Sequence, residues 1–304
     1  MLRVGRLIKD SPVRWEVAYK TFLGACQTTR PRAYEEFLED NIPIPTPRQE
    51  GAAVRVLSIG SGSGEVDSAI LRKILQRQSS VYNRVVEPSG EMLKDFKAMV
   101  QHDTSLGAVK FDWRQQTEEE YFSDNDGKKF DLAHAVHVLY FVEDHHATLR
   151  NMWEQLAEGG HLFAFLLTGM FSEHKTPNVC IFPDKRGMGK LYHETWNWFP
   201  HGNDRLRTSL RSSGDVSRSL QSLGINCVIK EQEQYVNVAE CFKEHSEAGR
   251  LILDFLTQTS NVSAHPEMRS KVLEFFLRNS SSVDDKILFS TANAAIIARK
   301  STQK

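Results

Sequence analysis

A glycine-rich segment, Val56 to Asp67, carries the residue types and spacing that are best suited to chemistry. A short apolar run leads into Gly60, Gly62 and Gly64, in the form G-x-G-x-G, and a helical pattern follows. Glycines at a strand-to-helix turn let the backbone bend sharply and let a ligand approach closely. The N-terminus of the following helix offers free N–H groups to a ligand carboxylate or phosphate. The segment therefore predicts a cofactor-binding turn.

An acidic residue, Glu87, stands at the end of the next apolar run. An acid there can accept hydrogen bonds from both hydroxyls of an adenosine ribose. The dinucleotide pattern G-x-G-x-x-G is not matched, because position 65 is Glu65, and the Gly-Lys-Ser/Thr ending of a phosphate-binding loop is absent. A G-x-G-x-G turn with an acid at a strand end is the usual arrangement for S-adenosylmethionine in methyltransferase folds. A dinucleotide site and a glycine-rich turn without function are the alternatives.

Other candidate cofactor contacts follow the later strands of the same pattern. Residues 116–118 come after the third strand, where an adenine amino group or ring nitrogen would be met, although Glu118 alone also fits a solvated helix start. Val136 and His137 end the fourth strand and would border the methionine half of the cofactor. The full set of expected cofactor contacts is Gly60, Ser61, Gly62, Gly64, Glu87, Pro88, Met92, Gln116, Thr117, Glu118, Val136 and His137.

Alternating strand and helix patterns from about residue 54 to 167 predict a parallel sheet flanked by helices. Strands are expected at 54–59, through Val85 and Val86, at 107–113, from residue 130 and at 161–167, and Gly159-Gly160 is expected to end the helix before the last of these. Further on, the pattern predicts a helix over about 216–223, a strand through 227–229, a long helix over about 238–258 and a last strand over 287–299.

Pattern breaks divide the chain into a sheet and additions to it. The predicted division is an N-terminal helical cap (1–50), a cofactor-binding core (51–168), a lid insertion (169–214), more core (215–236), a helical substrate-side insertion (237–285) and the last core strand (286–304). The insertions are expected to form a lid or a substrate-binding part grafted on the sheet.

Composition excludes several classes of protein and partner. The 304 residues are 40% hydrophobic and 25% charged, which argues against a disordered chain or a coiled-coil rod. The net charge is −1, so no global charge favours nucleic acid or an anionic membrane, and no apolar stretch reaches the roughly 18 residues that span a bilayer. The four cysteines lie far apart without a zinc-site spacing, which predicts no metal and free thiols in the cytoplasm.

Five runs carry a more specific likeness: LSIGSGSGEVD (57–67), VVEPSGE (85–91), LYFVED (139–144), LDFLTQTSN (253–261) and KILFS (286–290). With them the chain resembles the histamine N-methyltransferase family of class I methyltransferases over nearly its whole length. The resemblance implies a Rossmann-like α/β sheet flanked by helices, with an N-terminal cap and inserted lid segments. It also implies a monomeric cytosolic enzyme that moves a methyl group from S-adenosylmethionine to a ring nitrogen of a small amine and leaves S-adenosylhomocysteine.

The substrate side departs from the family pattern. Gln27-Thr28 stands where the family's histamine binders have a glutamate, and Thr291 stands where they have an asparagine. A primary ammonium group would lose its carboxylate partner, which argues against histamine itself as the acceptor. His137 replaces a usual glutamine, and Asn178 to Arg186 resembles an insertion in the lid, near Tyr192, Trp196 and Trp198.

Methyl transfer from a sulfonium is a direct displacement that needs no metal and no covalent intermediate, so positioning and aromatic walls can supply most of the acceleration. No catalytic residue is assigned; His137 is the candidate for accepting a proton or orienting the acceptor, since a histidine pKa can lie near neutrality. The expected substrate-side residues are Trp15, Tyr19, Thr28, His137, Tyr140, Phe141, Tyr192, Phe255 and Thr291.

Three functions remain open at this point. The first is N-methylation of an imidazole or another aromatic amine. The second is a methyltransferase of the same fold with an oxygen, sulfur or carbon acceptor. The third is a non-catalytic relative that binds cofactor or a protein partner, and the intact glycines and Glu87 count against it.

Overall fold

The computed structural model describes residues 5–27, 32–47, 51–124, 126–168, 187–198 and 212–301. The strands in these ranges are β1 (Gly5–Arg6), β2 (Val54–Ile59), β3 (Val81–Val86), β4 (Val109–Arg114), β5 (Phe130–Val136), β6 (Leu156–Leu167), β7 (Cys227–Asn237), β8 (Thr259–Ser260), β9 (Ser280–Val283) and β10 (Lys286–Arg299). The α-helices are α1 (Leu7–Asp10), α2 (Pro12–Gln27), α3 (Ala33–Asn41), α4 (Glu65–Leu75), α5 (Gly90–His102), α6 (Glu118–Ser123), α7 (His145–Gln155), α8 (Met188–Trp198), α9 (Ser213–Ser222), α10 (Glu247–Thr257) and α11 (Pro266–Asn279). Short 3₁₀ helices lie at Thr104–Leu106, Ala239–Phe242 and Val262–Ala264.

The main sheet has the strand order β4-β3-β2-β5-β6-β10-β7, with β9 paired to β10. Strand β2 pairs in parallel with β3 on one side and with β5 on the other. The chain therefore runs outward from β2 and returns on its opposite side, which makes the β2/β5 boundary a topological switch point. In such sheets, ligands bind beyond the carboxyl ends of the strands at this boundary. The predicted α/β sheet flanked by helices is confirmed.

The central strands are buried on both faces, mainly by apolar side chains. In β2, Val54, Val56, Leu57 and Ile59 are all buried. Near-continuous burial of this kind is typical of a parallel strand covered by helices on both sides. Helix α4 covers part of the sheet with an apolar stripe of Ile70, Leu71 and Ile74.

The chain forms two compact units. One consists of residues 1–35, 167–214 and 231–293, and the other of residues 36–166, 215–230 and 294–304. The second unit contains the glycine-rich turn and strands β2 to β5. The division into cap, core and insertions stays a prediction.

The first unit is organised around helix α10, whose Asp254 has a fully buried side chain. The Asp254 carboxylate accepts hydrogen bonds from Arg14 Nε (2.6 Å) and from the backbone N–H groups of Asn261 and Val262 (2.9 Å each). It thus joins helix α2 to the turn after α10, where Gln258 and Asn261 have positive φ angles. These contacts explain why the run 253–261 combines apolar residues with polar turn residues.

Two predicted element boundaries are wrong. Helix α7 ends at Gln155 rather than at Gly159-Gly160, because Leu156 already pairs with Phe130 in the sheet. The register then shifts between Phe130 and Leu132, and Gly159 takes a φ of 76° in the resulting irregularity. The single long helix expected over about 238–258 is instead a 3₁₀ turn followed by α10, which begins after its cap residue Ser246.

Several elements were not predicted. Strand β7 continues to Asn237 although residues 230–234 are charged or amide side chains, because this edge strand is exposed along much of its length. Helix α8 lies within the stretch that has no clear sequence period, and α11 and β9 lie within the expected helical insertion. None of the helices in the described ranges has the length and apolar character needed to cross a membrane.

Candidate functional site

The glycine loop between β2 and α4 needs its three glycines. Gly60, Gly62 and Gly64 have φ angles of 67°, 56° and 88°, in the left-handed region that other residues rarely adopt. A Cβ atom on Gly60 would collide with Val138, and one on Gly64 would collide with the ring of Phe96. The loop therefore lies close to α5 and to the residues that follow β5, and substitution at Gly60 or Gly64 would force it out of place.

Glu87 lies between this loop and the start of α5. Its buried carboxylate accepts the N–H of Gly62 through Oε2 and the N–H of Ser89 through Oε1, both at 2.9 Å. Burial raises the pKa of Glu87, and the two backbone hydrogen bonds oppose that rise. Each carboxylate oxygen can accept more than one hydrogen bond, so the group can also receive the two hydroxyls of a ribose. The position and the chemistry both suit the predicted role.

Residues around Glu87 complete the loop environment. Ser61 donates its hydroxyl to Asp67 Oδ1 at 2.9 Å. Ser89 caps helix α5 by accepting the N–H of Met92, and Met92 Sδ lies 3.8 Å from the position that a Cβ on Gly62 would take. Pro88 is exposed next to Glu87. Ser61 thus lies in the predicted turn, Pro88 follows the strand end, and Met92 lies in the first turn of α5.

The predicted adenine side begins after β4. Thr117 caps helix α6: its hydroxyl accepts the N–H of Glu120, and the Glu120 carboxylate accepts the N–H of Thr117. Glu118 is the first residue of that helix, as expected if it is a solvated helix start and not a cofactor contact. Gln115, which the sequence did not single out, packs over Gly90, where a Cβ would lie 2.8 Å from Gln115 Nε2. The only sign of this contact in the sequence is that the first residue of α5 is a glycine, which leaves room for the Gln115 side chain.

His137 follows Val136 at the end of β5 in an unusual backbone conformation, with a φ of 51°. Its N–H donates to the carbonyl of Phe165 at 2.8 Å, and its ring packs edge-on to Phe165 at 5.4 Å. The ring also stacks on Tyr140 at 6.2 Å, with Nδ1 3.4 Å from the tyrosine hydroxyl. A left-handed conformation at a non-glycine residue costs energy, and such strained residues cluster at active sites and ligand clamps.

The surroundings of His137 decide its protonation. Loss of hydration lowers the pKa of His137 to about 4. At that pKa the imidazole is neutral at neutral pH and is a weak base, so the proton-accepting role stays a prediction that this environment does not favour. A neutral imidazole still has one donor and one acceptor nitrogen, so the orienting role stays a prediction.

The other substrate-side candidates divide between the two units. Tyr140 and Phe141 follow His137, and Phe141 is exposed. In the first unit, Trp15 stacks on Tyr19 at 5.3 Å, and the ring of Phe255 lies 5.5 Å from that of Tyr19. Thr291 is fully buried in β10 of this unit, and its hydroxyl has no hydrogen-bond partner among the residues that the structure describes.

Some candidates cannot be placed. Thr28 and the run Asn178 to Arg186 lie outside the described residues. Tyr192 and Trp196 belong to helix α8, but their side chains also lie outside the described part.

Comparison with known proteins decides the family. A family model described as a methyltransferase domain matches residues 26–221. Histamine N-methyltransferase of Cavia porcellus is 30% identical over 292 residues, which cover 91% of this chain and 92% of that protein. The chain belongs to the histamine N-methyltransferase family. Histamine N-methyltransferase of Xenopus tropicalis is 28% identical, with 94% of this chain and 95% of that protein covered.

Solved structures agree on the fold. A putative methyltransferase from Bacillus halodurans matches with a TM-score of 0.54 at 12% identity, covering 88% of this chain and 98% of that one. The fold is that of class I methyltransferases, as the strand order and the glycine loop after β2 indicated. Membership in the family makes the chain a methyltransferase of the class that uses S-adenosylmethionine.

Proposed function

We propose that the chain transfers the methyl group of S-adenosylmethionine to a nitrogen of a small molecule, most simply an imidazole or another aromatic amine. The observation that carries the proposal is the contact of Glu87 with the N–H of Gly62, which joins the strand-end acid to the glycine loop. The names of the relatives from Cavia porcellus and Xenopus tropicalis support nitrogen as the acceptor atom.

The residues of the second unit fit this cofactor. Glu87 accepts the ribose hydroxyls, and the glycine loop with Ser61 and Met92 receives the methionine half. Residues 116–118 face the adenine, and Val136 with His137 borders the methionine half from the other side of the switch point. Bound at this site, the sulfonium supplies an electrophilic methyl group, and the sulfur keeps the electron pair of the broken C–S bond.

On the acceptor side, the chain has to hold a nitrogen lone pair in line and keep water away. A neutral amine or imidazole already has that lone pair, so the weak basicity of His137 does not oppose the reaction. His137 orients the acceptor through one hydrogen bond. The rings of Tyr140 and Phe165 pack against its imidazole and help to exclude water from it. The methylated nitrogen takes over the positive charge of the sulfonium. A proton is then lost to solvent, from that nitrogen in an amine or from the other ring nitrogen in an imidazole.

The acceptor is proposed to differ from histamine. Thr28 and Thr291 carry no charge, so neither can balance a primary ammonium group. The buried hydroxyl of Thr291 lacks a partner among the described residues, and a ligand hydrogen bond there would recover about 1–3 kcal/mol of desolvation cost. Trp15, Tyr19 and Phe255, with Tyr140, Phe141 and Tyr192, are proposed as the aromatic walls.

The proposal extends to the setting of the enzyme. A monomer in the cytoplasm, without nucleic-acid or membrane partners, agrees with the family resemblance and with the balanced charge of the chain. Cys26, Cys227 and Cys241 are free thiols in the described part, which is compatible with a reducing compartment.

The test is transfer of a labelled methyl group from S-adenosylmethionine to a panel of imidazoles, aromatic amines, thiols and phenols, with histamine included. We expect label on a ring or amine nitrogen and poor turnover of histamine. The Glu87→Ala variant is the control for cofactor-dependent transfer. Efficient histamine turnover would overturn the inference from Thr28 and Thr291. Label on thiols or phenols alone would favour the second function, and tight cofactor binding without any transfer would favour a non-catalytic relative.

A further inference from the structure

A cluster of buried polar side chains lies beneath the glycine loop and has no part in the function proposed above. It consists of Ser58 on β2, Asn83 on β3, His134 on β5 and Asp67 on α4, each at most 3% exposed. Ser58 and His134 face each other in the parallel pairing of β2 with β5. The cluster therefore spans the switch point of the sheet, directly below the cofactor site proposed above.

Hydrogen bonds connect this cluster to the loop. Ser58 Oγ lies 2.9 Å from Asn83 Oδ1 and 2.8 Å from His134 Nε2. Because the serine has one proton, which Asn83 Oδ1 accepts, the histidine must donate from Nε2 to Ser58 Oγ. Its Nδ1 is then an acceptor, and it has no partner among the described residues.

Asp67 is the member that touches the loop. Its Oδ1 accepts the hydroxyl of Ser61 at 2.9 Å and lies 3.8 Å from His134 Nε2. Ser61 immediately precedes Gly62, whose N–H donates to Glu87. A chain of contacts thus runs from the buried carboxyl of Asp67 through two successive loop residues to the acid proposed to bind the ribose.

The charges in the cluster are few. Burial lowers the pKa of His134 to about 3, so this histidine is neutral and forms no ion pair with Asp67 above that pH. Burial raises the pKa of Asp67 to about 7; the hydrogen bond from Ser61 opposes the rise, and the negative charge of Glu65 adds to it. Asp67 in turn adds to the raised pKa of Glu87. Glu65, Glu87 and His134 are thus the titratable groups that act on Asp67.

We propose that Asp67 is a positioning residue whose carboxylate form, through Ser61, holds the glycine loop in the conformation that binds the cofactor. The proposal rests on the function proposed above, since it assumes that the loop binds S-adenosylmethionine. A hydrogen bond to a charged acceptor is stronger than one to a neutral acid. Protonation of Asp67 weakens the hold on Ser61, and cofactor affinity falls by about tenfold below the titration of this group.

The experiment is a calorimetric titration of the full chain with S-adenosylhomocysteine between about pH 5.5 and 8.5. This product lacks the sulfonium charge, so a pH dependence cannot arise from attraction between that cation and Asp67. We expect affinity to rise about tenfold with pH, with about half a proton released per ligand bound at a midpoint near the pKa of Asp67. The carboxyl carbon-13 NMR signal of Asp67 should titrate in the same range, with a pKa about one unit lower in the complex.

Two variants test the pathway, and a third is the matched control. Asp67→Asn and Ser61→Ala should each remove the pH dependence and leave the affinity near the acidic value, and the double variant should be no weaker than either. Ser61→Ala keeps the test decisive if Asp67→Asn does not fold. Ser63→Ala removes a hydroxyl from the same loop that bonds Glu65 instead (2.7 Å), so its pH dependence should match that of the unaltered chain.

The outcomes separate this proposal from the proposed function. Binding that is independent of pH, a pH dependence that survives in both variants, or a titration carried by Glu87 in the NMR spectra would overturn the role of Asp67 alone. Absence of binding by the unaltered chain at every pH would instead overturn the cofactor site and, with it, this proposal.

Discussion

Glu87 makes the contacts on which the proposed cofactor site depends most. Its two carboxylate oxygens hold the N–H groups of Gly62 and Ser89, so Glu87→Ala removes the ribose acceptor and also two contacts that shape the site. Hydrogen bonds to charged groups contribute about 1.5–3 kcal/mol each, so we expect the affinity for S-adenosylhomocysteine to fall at least about 100-fold. Isothermal titration calorimetry measures this directly.

The control for this prediction is Glu91→Ala on the next helix. Glu91 is exposed in the first turn of α5, so Glu91→Ala removes the same type of side chain without changing a contact of the loop. An unchanged affinity in Glu87→Ala, or an equal loss in Glu91→Ala, would contradict the ribose contact.

For single residues, the sequence predicts properties that follow from the residue type itself, and it misses properties that depend on burial in the folded chain. Gly60, Gly62 and Gly64 were predictable because only glycine adopts these backbone angles freely. Asp67 was not, because an acid in the first turn of a helix usually serves the helix dipole, and nothing local shows that this one is enclosed. The lowered pKa of His137 has the same origin, since it depends on packing against Phe165, a residue distant in the chain.

Replacing either of two helical glycines in the first unit by alanine should change the free energy of unfolding, in opposite directions. Gly249 in α10 faces the backbone of the 3₁₀ helix at Ala239–Phe242, where a Cβ would collide with the carbonyl of Glu240. We expect Gly249→Ala to lower the free energy of unfolding by about 1–3 kcal/mol, because backbone cannot give way as a side chain can. Urea unfolding followed by circular dichroism is the measurement.

Gly24 in α2 is the matched control. It is exposed, and a Cβ there would meet nothing within 4 Å. Since alanine is the better helix former, Gly24→Ala should raise the free energy of unfolding by about 0.5–1 kcal/mol. Equal effects of the two substitutions would show that α10 does not pack closely on the 3₁₀ helix.

The elements that the sequence predicted are those with a strong period of their own. Strand β2 and helix α4 were predicted because a buried parallel strand is mostly apolar and a helix on it repeats its apolar residues every three to four positions. The break between residues 238 and 258 was missed although Ser246, which caps α10, is a local signal for a helix start. The close approach of Gly249 to Glu240 is visible only in the folded chain. The extension of β7 was missed because pairing at a sheet edge stabilises residues 230–234 despite their polarity.

For the whole molecule, the response of stability to acid follows from groups with opposite signs. Burial holds the pKa of His134 at about 3 and that of His137 at about 4, both below the ordinary 6.5, so the unfolded chain binds more protons and stability falls as pH drops from about 6.5 to 4. Asp67 acts in the opposite direction between about pH 4 and 7, because its raised pKa lets the folded chain bind the proton first. Below about pH 4, Asp112 adds a loss, since hydrogen bonds from Tyr82, Arg114 and Arg84 outweigh its burial and hold its pKa at about 2.

His134→Gln separates these contributions. At pH 7 the variant should be less stable than the unaltered chain, because it loses the hydrogen bond between His134 and Ser58 and the packing of the imidazole. That difference in the free energy of unfolding should shrink by about 2–3 kcal/mol at pH 4.5. In the unaltered chain, His134 takes up a proton at this pH only when the chain unfolds, which lowers the stability, and the variant has no such group. Urea unfolding of both proteins at the two pH values measures the change. The exposed His102, changed to glutamine, is the matched control for loss of an imidazole that makes no buried contact. A difference for His134→Gln that stays constant between the two pH values would mean that the imidazole takes up its proton in the folded state, and the neutral cluster beneath the glycine loop would then be wrong.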